Sequence, residues 1–150
     1  MTVVRVSVEV NASPERVWSV VADPRNLARW DRHVVGVRDV PENGLGEGTE
    51  YTTEVRLMGV RAHSTSRVVE IRPPSYSKVC LGGLVDGIVE TWLEPLDHGE
   101  RTRLSHRVEY RFIGGPLGAL AARAVKALGV ASILRHGTLA QKRQAEEART

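Results

Sequence analysis

The sequence predicts an α+β fold: one curved, seven-stranded antiparallel sheet around a long C-terminal helix, with two short helices completing the enclosure of a cavity. Three observations predict it. A strand signal at the start is followed at once by two capped, helix-like segments; six strand-like segments then follow one another across turns; and the chain closes on one long helical stretch. Consecutive strands joined by short turns favour antiparallel pairing, and the helices must then cover one face of the sheet.

The first strand is read from Val4, Val6, Val8 and Val10, apolar at every second position. Ser13 followed by Pro14 is a helix N-cap and first turn, and Val17, Trp18, Val20 and Val21 continue at helical spacing. Asp23-Pro24 repeats the signal, starting a second short helix to about Ala28 that runs into a loop carrying Trp30 and Asp31. Strands are expected over 34–40, 49–57, 60–71, 76–81, 87–96 and 102–112. Met58-Gly59, Pro73-Pro74, Gly82-Gly83 and Asp97-His98-Gly99-Glu100 punctuate them. Gly114-Gly115-Pro116 then opens a helix to about Glu146. Its many small residues, among them Gly118, Ala121, Ala124, Ala127 and Gly129, leave volume beneath it.

Composition narrows the classes of function. At 150 residues, with 41% hydrophobic and 26% charged side chains, the chain suits one globular domain over 1–150, its last few residues frayed. The lone Cys80 excludes an internal disulfide or a cysteine-built zinc site, and the five histidines show no metal-ligand spacing. A net charge of +3 with no basic cluster interleaved with aromatics argues against nucleic acid. The N-terminus reads as free of a secretion signal, and the apolar stretch from Ile113 to Leu134 is interrupted by Arg123 and Lys126. A cytoplasmic protein without a membrane span is therefore expected.

The last hairpin sets which residues face inward. A turn at His98-Gly99 pairs Glu94 with Arg103, Trp92 with Ser105 and Glu90 with Arg107 on one face. Leu93 then meets Leu104, Thr91 meets His106 and Val89 meets Val108 on the other, with Tyr110 and Phe112 continuing it. The second face is the apolar one and should look at the helix. Asp97 would oppose Glu100 at the tip. In the strand before the prolines, Val69 and Ile71 set a parity that sends Arg67, Thr65, His63 and Arg61 inward if no bulge intervenes; Tyr51, Thr53, Val55 and Leu57 form the matching set on its neighbour. Polar groups among apolar ones point to a partly wetted cavity. Trp30, Tyr51, Val55, Thr91, Leu93, Leu104 and Tyr110 are the expected ligand-contacting residues.

The order of these signals resembles the START and birch-allergen-like helix-grip superfamily, and within it the bacterial polyketide cyclase/dehydrase (SRPBCC) group. The resemblance rests on Val10-Asn11-Ala12-Ser13-Pro14-Glu15-Arg16-Val17-Trp18, Asp23-Pro24 with Leu27 and Trp30, Gly46-Glu47-Gly48-Thr49, Val69-Glu70 with Pro73-Pro74, Trp92-Leu93-Glu94-Pro95, Gly99-Glu100-Arg101-Thr102, and the helix opened by Pro116. It implies a helix-grip fold with an internal pocket. Thr65-Ser66-Arg67-Val68 looks like the segment that supplies a pocket arginine in aromatic polyketide aromatase/cyclases, which implies that Arg67 polarises a carbonyl and stabilises an enolate. Where those enzymes carry upstream tryptophans, this chain has His63 and Arg61, which puts a flat aromatic substrate in doubt.

Two functions follow. The first is a cofactor-independent polyketide cyclase/dehydratase that performs aldol closure and water loss, with Arg67, His106 and His63 as catalytic candidates and no metal or redox cofactor. The alternative is a non-catalytic binding or transfer protein for a lipid, quinone or other apolar molecule. Each candidate has a plainer reading: hydrogen-bonded structural histidines, an Arg67 ion pair with Glu54 or Glu70, Trp30 as a packing staple rather than a gate. The terminal segment carries Arg111, Arg123, Lys126, Arg135, Lys142 and Arg143 with no acid from residue 111 to 145. That is a solvated face, or a docking face for an acidic acyl carrier protein or an anionic membrane.

Overall fold

Seven strands form one antiparallel sheet in the order β1-β7-β6-β5-β4-β3-β2. They are β1 (Thr2–Val10), β2 (Val34–Arg38), β3 (Glu50–Leu57), β4 (Val60–Arg72), β5 (Tyr76–Gly83), β6 (Val85–Leu96) and β7 (Arg101–Phe112). The computed structural model describes residues 2–57, 59–83, 85–112 and 115–147. From β2 to β7 the chain is a meander; β1 then lies beside β7. The two edge strands are thus neighbours in sequence, and the segment joining them must span the sheet from edge to edge. That segment holds α1 (Pro14–Val21), a 3-10 turn (Pro24–Asn26) and α2 (Leu27–Trp30).

The caps expected at these helices are present. The Ser13 hydroxyl accepts from the Arg16 N–H at 3.3 Å, and an Asp23 carboxylate oxygen accepts from the Arg25 N–H at 3.1 Å. Val17 and Val20 turn inward and are buried with Val10, Ala12, Trp30, Leu93, Leu104 and Ala145 in one solid cluster. The Thr102 hydroxyl closes this end of the sheet by donating to the Ala12 carbonyl at 2.8 Å.

The β6–β7 hairpin has the expected register, with Leu93 opposite Leu104, Thr91 opposite His106 and Val89 opposite Val108. Its tip is wider than a two-residue turn. Leu96 and Arg101 are the last pair, and Asp97, His98 and Gly99 form a 3-10 turn with φ of 49°, 59° and 89°, so Asp97 and Glu100 are not ladder partners. The outer face is laced with ion pairs, Arg103 between Glu94 (3.3 Å) and Glu9 (3.8 Å), and Arg107 between Glu90 (3.5 Å) and Glu109 (3.4 Å). Pairs at a solvated surface add little stability each, the Arg103 pairs being the more exposed and the Arg107 pairs partly buried.

β4 departs from the expected parity. Val68 pairs with Val79 and Glu70 with Lys78, leaving Val69 as an extra residue in a bulge. Val69 is 46% exposed, whereas Val68 is buried. A one-residue insertion reverses facing along the rest of the strand. Ile71 points inward as expected, but before the bulge the inward residues are Val68, Ser66, Ser64 and Ala62, while Arg67, Thr65, His63 and Arg61 face out.

The C-terminal helical arm is in two pieces, α3 (Pro116–Leu128) and α4 (Val130–Glu147), separated by Gly129. Gly129 has φ +76°, a conformation open to glycine and costly for other residues, which breaks the single helix expected from Pro116 to Glu146. α4 packs across β1, α1 and α2 and buries Thr138, Gln141 and Ala145. Side chains of Ala121, Ala124 and Ala127, expected to leave room beneath the helix, lie outside the described residues, as do that of Leu57 and all of Gly114 and residues 148–150.

Candidate ligand cavity

Beyond the solid cluster, the concave face of the sheet and the helices above it enclose a cavity of about 430 Å³. Its floor has a pattern set by strand register. Three consecutive inward rows cross the sheet, each displaced from the next by two residues, roughly 6.7 Å along a strand. The first joins Ile71, Ser77, Thr91 and His106; the second is Val68, Val79, Val89, Val108 and Val4; the third runs Tyr51, Ser66, Leu81, Gly87, Tyr110. An all-valine band therefore separates two bands that carry hydrogen-bonding groups. Gly87 in the third row is required: a Cβ there would lie 2.4 Å from the Glu109 carbonyl oxygen, so only glycine lets β6 and β7 approach so closely.

His106 is buried in the first row, and both of its ring nitrogens are engaged. Nε2 is 2.7 Å from Oε1 of Gln141 on α4, and Nδ1 is 2.9 Å from the Thr91 hydroxyl. The amide oxygen only accepts, so Nε2–H donates to it; in the neutral imidazole that burial favours, Nδ1 accepts from the Thr91 hydroxyl. Burial pushes the His106 pKa below its ordinary value, opposed by the smaller effect of Gln141. In the third row, burial raises the pKa of the Tyr51 phenol, opposed by the smaller effect of Ser66, its partner across the β3–β4 ladder. Tyr51 is thus a neutral donor or acceptor at neutral pH.

The roof comes from Val21, Ala22 and Leu27 on the α1–α2 segment and Val130, Ile133 and Gln141 at and along α4. Trp30 stands where the two meet. Its ring is buried, and its Nε1–H donates to Gln144 Oε1 at 2.9 Å, so it staples α2 to α4 while one side lines the cavity. Of the sequence-derived ligand contacts, Trp30, Tyr51, Val55, Thr91 and Tyr110 lie on the wall. Leu93 and Leu104 do not: they are buried in the solid cluster beside α1 and the end of α4, one step too far along the hairpin.

Arg67 and His63 require a larger correction. Both project from the outer face because of the Val69 bulge; Arg67 pairs across the ladder with Cys80 and Glu50, and the His63 side chain is 54% exposed, 3.8 Å from Glu54. Of the three catalytic candidates only His106 reaches the cavity. A signal that places Ser66 and Ser64 inward is present in the sequence. Counting back from the turn expected of Met58-Gly59 sets Ser66 opposite Tyr51 and Ser64 opposite Thr53, which is the register of the β3–β4 ladder. His33, beside Asp31 at the cavity's edge, is a residue that sequence reasoning missed. Its Nδ1 lies 2.7 Å from Asp31 Oδ1, which also accepts from the His33 backbone N–H at 2.8 Å.

Comparison with known proteins places this architecture. The chain matches, over residues 1–146, the family described as polyketide cyclase / dehydrase and lipid transport, and it belongs to that family. An uncharacterised protein of Mycobacterium tuberculosis strain H37Rv is 33% identical over 129 residues, covering 84% of this chain and 90% of that protein. Among solved structures, a Thermus thermophilus protein superposes with a TM-score of 0.77 at 18% identity, covering 99% of this chain and 100% of that one. An aromatase/cyclase from Streptomyces sp. R1128 gives 0.68 at 20% identity, covering 95% of each chain. A START-superfamily protein from Mycobacterium smegmatis gives 0.70 at 19%, covering 97% and 98%. The fold is thus the helix-grip fold of the START superfamily. Among the described residues, no helix is long and apolar enough to cross a membrane.

Proposed function

We propose that the protein binds a mostly apolar small molecule bearing oxygen functions, and that it holds or transfers this molecule rather than transforming it. The banded floor carries the reading. The valine row provides the apolar contact, and oxygens on the ligand meet Thr91 and Ser77 on one side or Tyr51, Ser66 and Tyr110 on the other. A cavity of about 430 Å³ falls within the range of small-molecule sites. Among the described residues its wall carries no lysine or arginine, both nitrogens of the buried His106 are hydrogen-bonded within the protein, and the His33–Asp31 pair stands only at the cavity's edge. Binding of a neutral fluorescent probe such as N-phenyl-1-naphthylamine, and its displacement by apolar alcohols and ketones, tests this reading. A failure of all of them to bind saturably would refute it.

A cyclase/dehydratase acting on a polyketide intermediate is the second reading, favoured by the Tyr51–Ser66 pair. A buried neutral phenol can donate to a ligand carbonyl and stabilise enolate charge without Arg67. Turnover of poly-β-ketone substrates by the wild type, lost in Tyr51→Phe, would establish it over the carrier reading. Docking of an acidic carrier protein on the terminal helix would rely on Arg123, Lys126, Arg135 and Arg143. Lys142 is committed elsewhere, to Glu146 at 2.6 Å and the Glu9 carbonyl at 2.9 Å.

A further inference from the structure

A second concavity of about 470 Å³ adjoins the cavity, and the two share Trp30, Asp31, His33 and Ile133 on their walls. This outer chamber differs in character from the inner one. It is built from two facing elements, the α2–β2 loop and α4, and each brings a guanidinium group: Arg32 from the loop, Arg135 from the helix. Both are exposed, and neither forms an ion pair with any described residue. His136 lies on the same wall. Asp31, the one carboxylate there among the described residues, engages the His33 ring and backbone N–H through Oδ1, leaving the two guanidinium groups in excess of acidic charge on this wall. Two cations without an ion pair among the described residues therefore line one concavity that adjoins the apolar cavity.

From this placement we infer that the ligand is an amphipathic acid: its apolar body lies across the valine band, and an acidic oxygen group, carboxylate or phosphate, is held in the adjoining concavity by Arg32 and Arg135. The inference rests on the cavity being the binding site. A guanidinium donates several N–H groups in a planar fork suited to such oxyanions, and a partly open concavity spares the head group full desolvation. An anion drawn into the inner cavity would meet hydroxyls and an uncharged imidazole instead, a poor exchange for water.

The test compares three ligands of one chain length, decanoate, decyl phosphate and decan-1-ol, by displacement of N-phenyl-1-naphthylamine at pH 7.5 in low salt. Wild-type protein should bind at least one of the two acids roughly tenfold more tightly than the alcohol, a preference of the size that charge-assisted contacts to exposed arginines provide. Which acid is favoured distinguishes a carboxylate head from a phosphate one. The preference should shrink in 0.5 M salt and disappear in the Arg32→Gln/Arg135→Gln double variant, while decanol affinity stays unchanged. Equal or weaker binding of both acids in wild type, with decanol still bound, would overturn the inference and leave the cavity reading intact. So would an acid preference that survives in the double variant. Failure of all three ligands to displace the probe would remove the cavity reading and the inference together.

Discussion

Nε2 of His106 lies 2.7 Å from Oε1 of Gln141, and this single contact joins the floor of the cavity to α4 above it. With Thr91 at 2.9 Å on the other nitrogen, both ring nitrogens are satisfied, and burial favours the neutral form. In the unfolded chain it titrates near its ordinary value of about 6.5. The folded pKa is depressed, so the unfolded state binds more protons as the pH falls below that value. The resulting stability is fully present above about pH 6.5 and is lost on acidification until the depressed folded pKa is reached. Urea unfolding between pH 5 and 7.5 should show this slope, and His106→Gln should flatten it. An unchanged slope in the variant would place the responsible group elsewhere.

Removing one partner of the same clamp should be costly. Thr91→Val keeps the side-chain shape but leaves Nδ1 of a buried ring without a donor, so a loss of about 1–3 kcal/mol is expected by chemical denaturation at pH 7.5. A change below a few tenths of a kcal/mol would show that water or another group satisfies the ring.

Arg67→Ala and His63→Ala should leave probe binding and displacement unaltered, since both side chains lie on the far face of the sheet. Tyr51→Phe should weaken oxygenated ligands several-fold, about the worth of one hydrogen bond, with little effect on a hydrocarbon. Loss of ligand binding on Arg67→Ala would contradict the bulged register of β4.

The contrast between Arg67 and Tyr51 bears on how much of the fold and site is legible in the sequence. The succession of elements along the chain, the helix caps and the β6–β7 register follow from signals that act over a few residues, such as alternation, an N-cap before proline and a turn between pairing strands. They are legible for that reason. The Val69 bulge is not, because neither glycine nor proline marks it and an extra residue shows only when β4 is laid against β5. Projecting parity from Val69 and Ile71 across that residue puts Arg67 and His63 on the wrong face. Gln141 escapes notice as the partner of His106 because the two are 35 residues apart and meet only when α4 docks. Leu93 and Leu104 face the right way, but facing does not tell how far along a strand the solid cluster ends and the cavity begins.

Gly87→Ala tests the close approach of β6 and β7. The added Cβ would stand 2.4 Å from the Glu109 carbonyl oxygen, with strand backbone rather than a flexible side chain in its way. Overpacking of this kind should cost about 1–3 kcal/mol of stability. A variant as stable as wild type would mean that the strands separate freely at this point.

The cavity itself is tested by filling it. Val89 sits in the centre of the valine band, and Val89→Phe places a ring in the space the ligand needs without adding a charge or a polar atom. Equilibrium titration of N-phenyl-1-naphthylamine into wild type and into Val89→Phe, with circular dichroism to verify the fold of both, is the most direct measurement. Saturable single-site binding to wild type, weakened at least tenfold in a folded Val89→Phe variant, is the expected result. Equal binding by the two folded proteins, or no saturable binding to wild type, would contradict it.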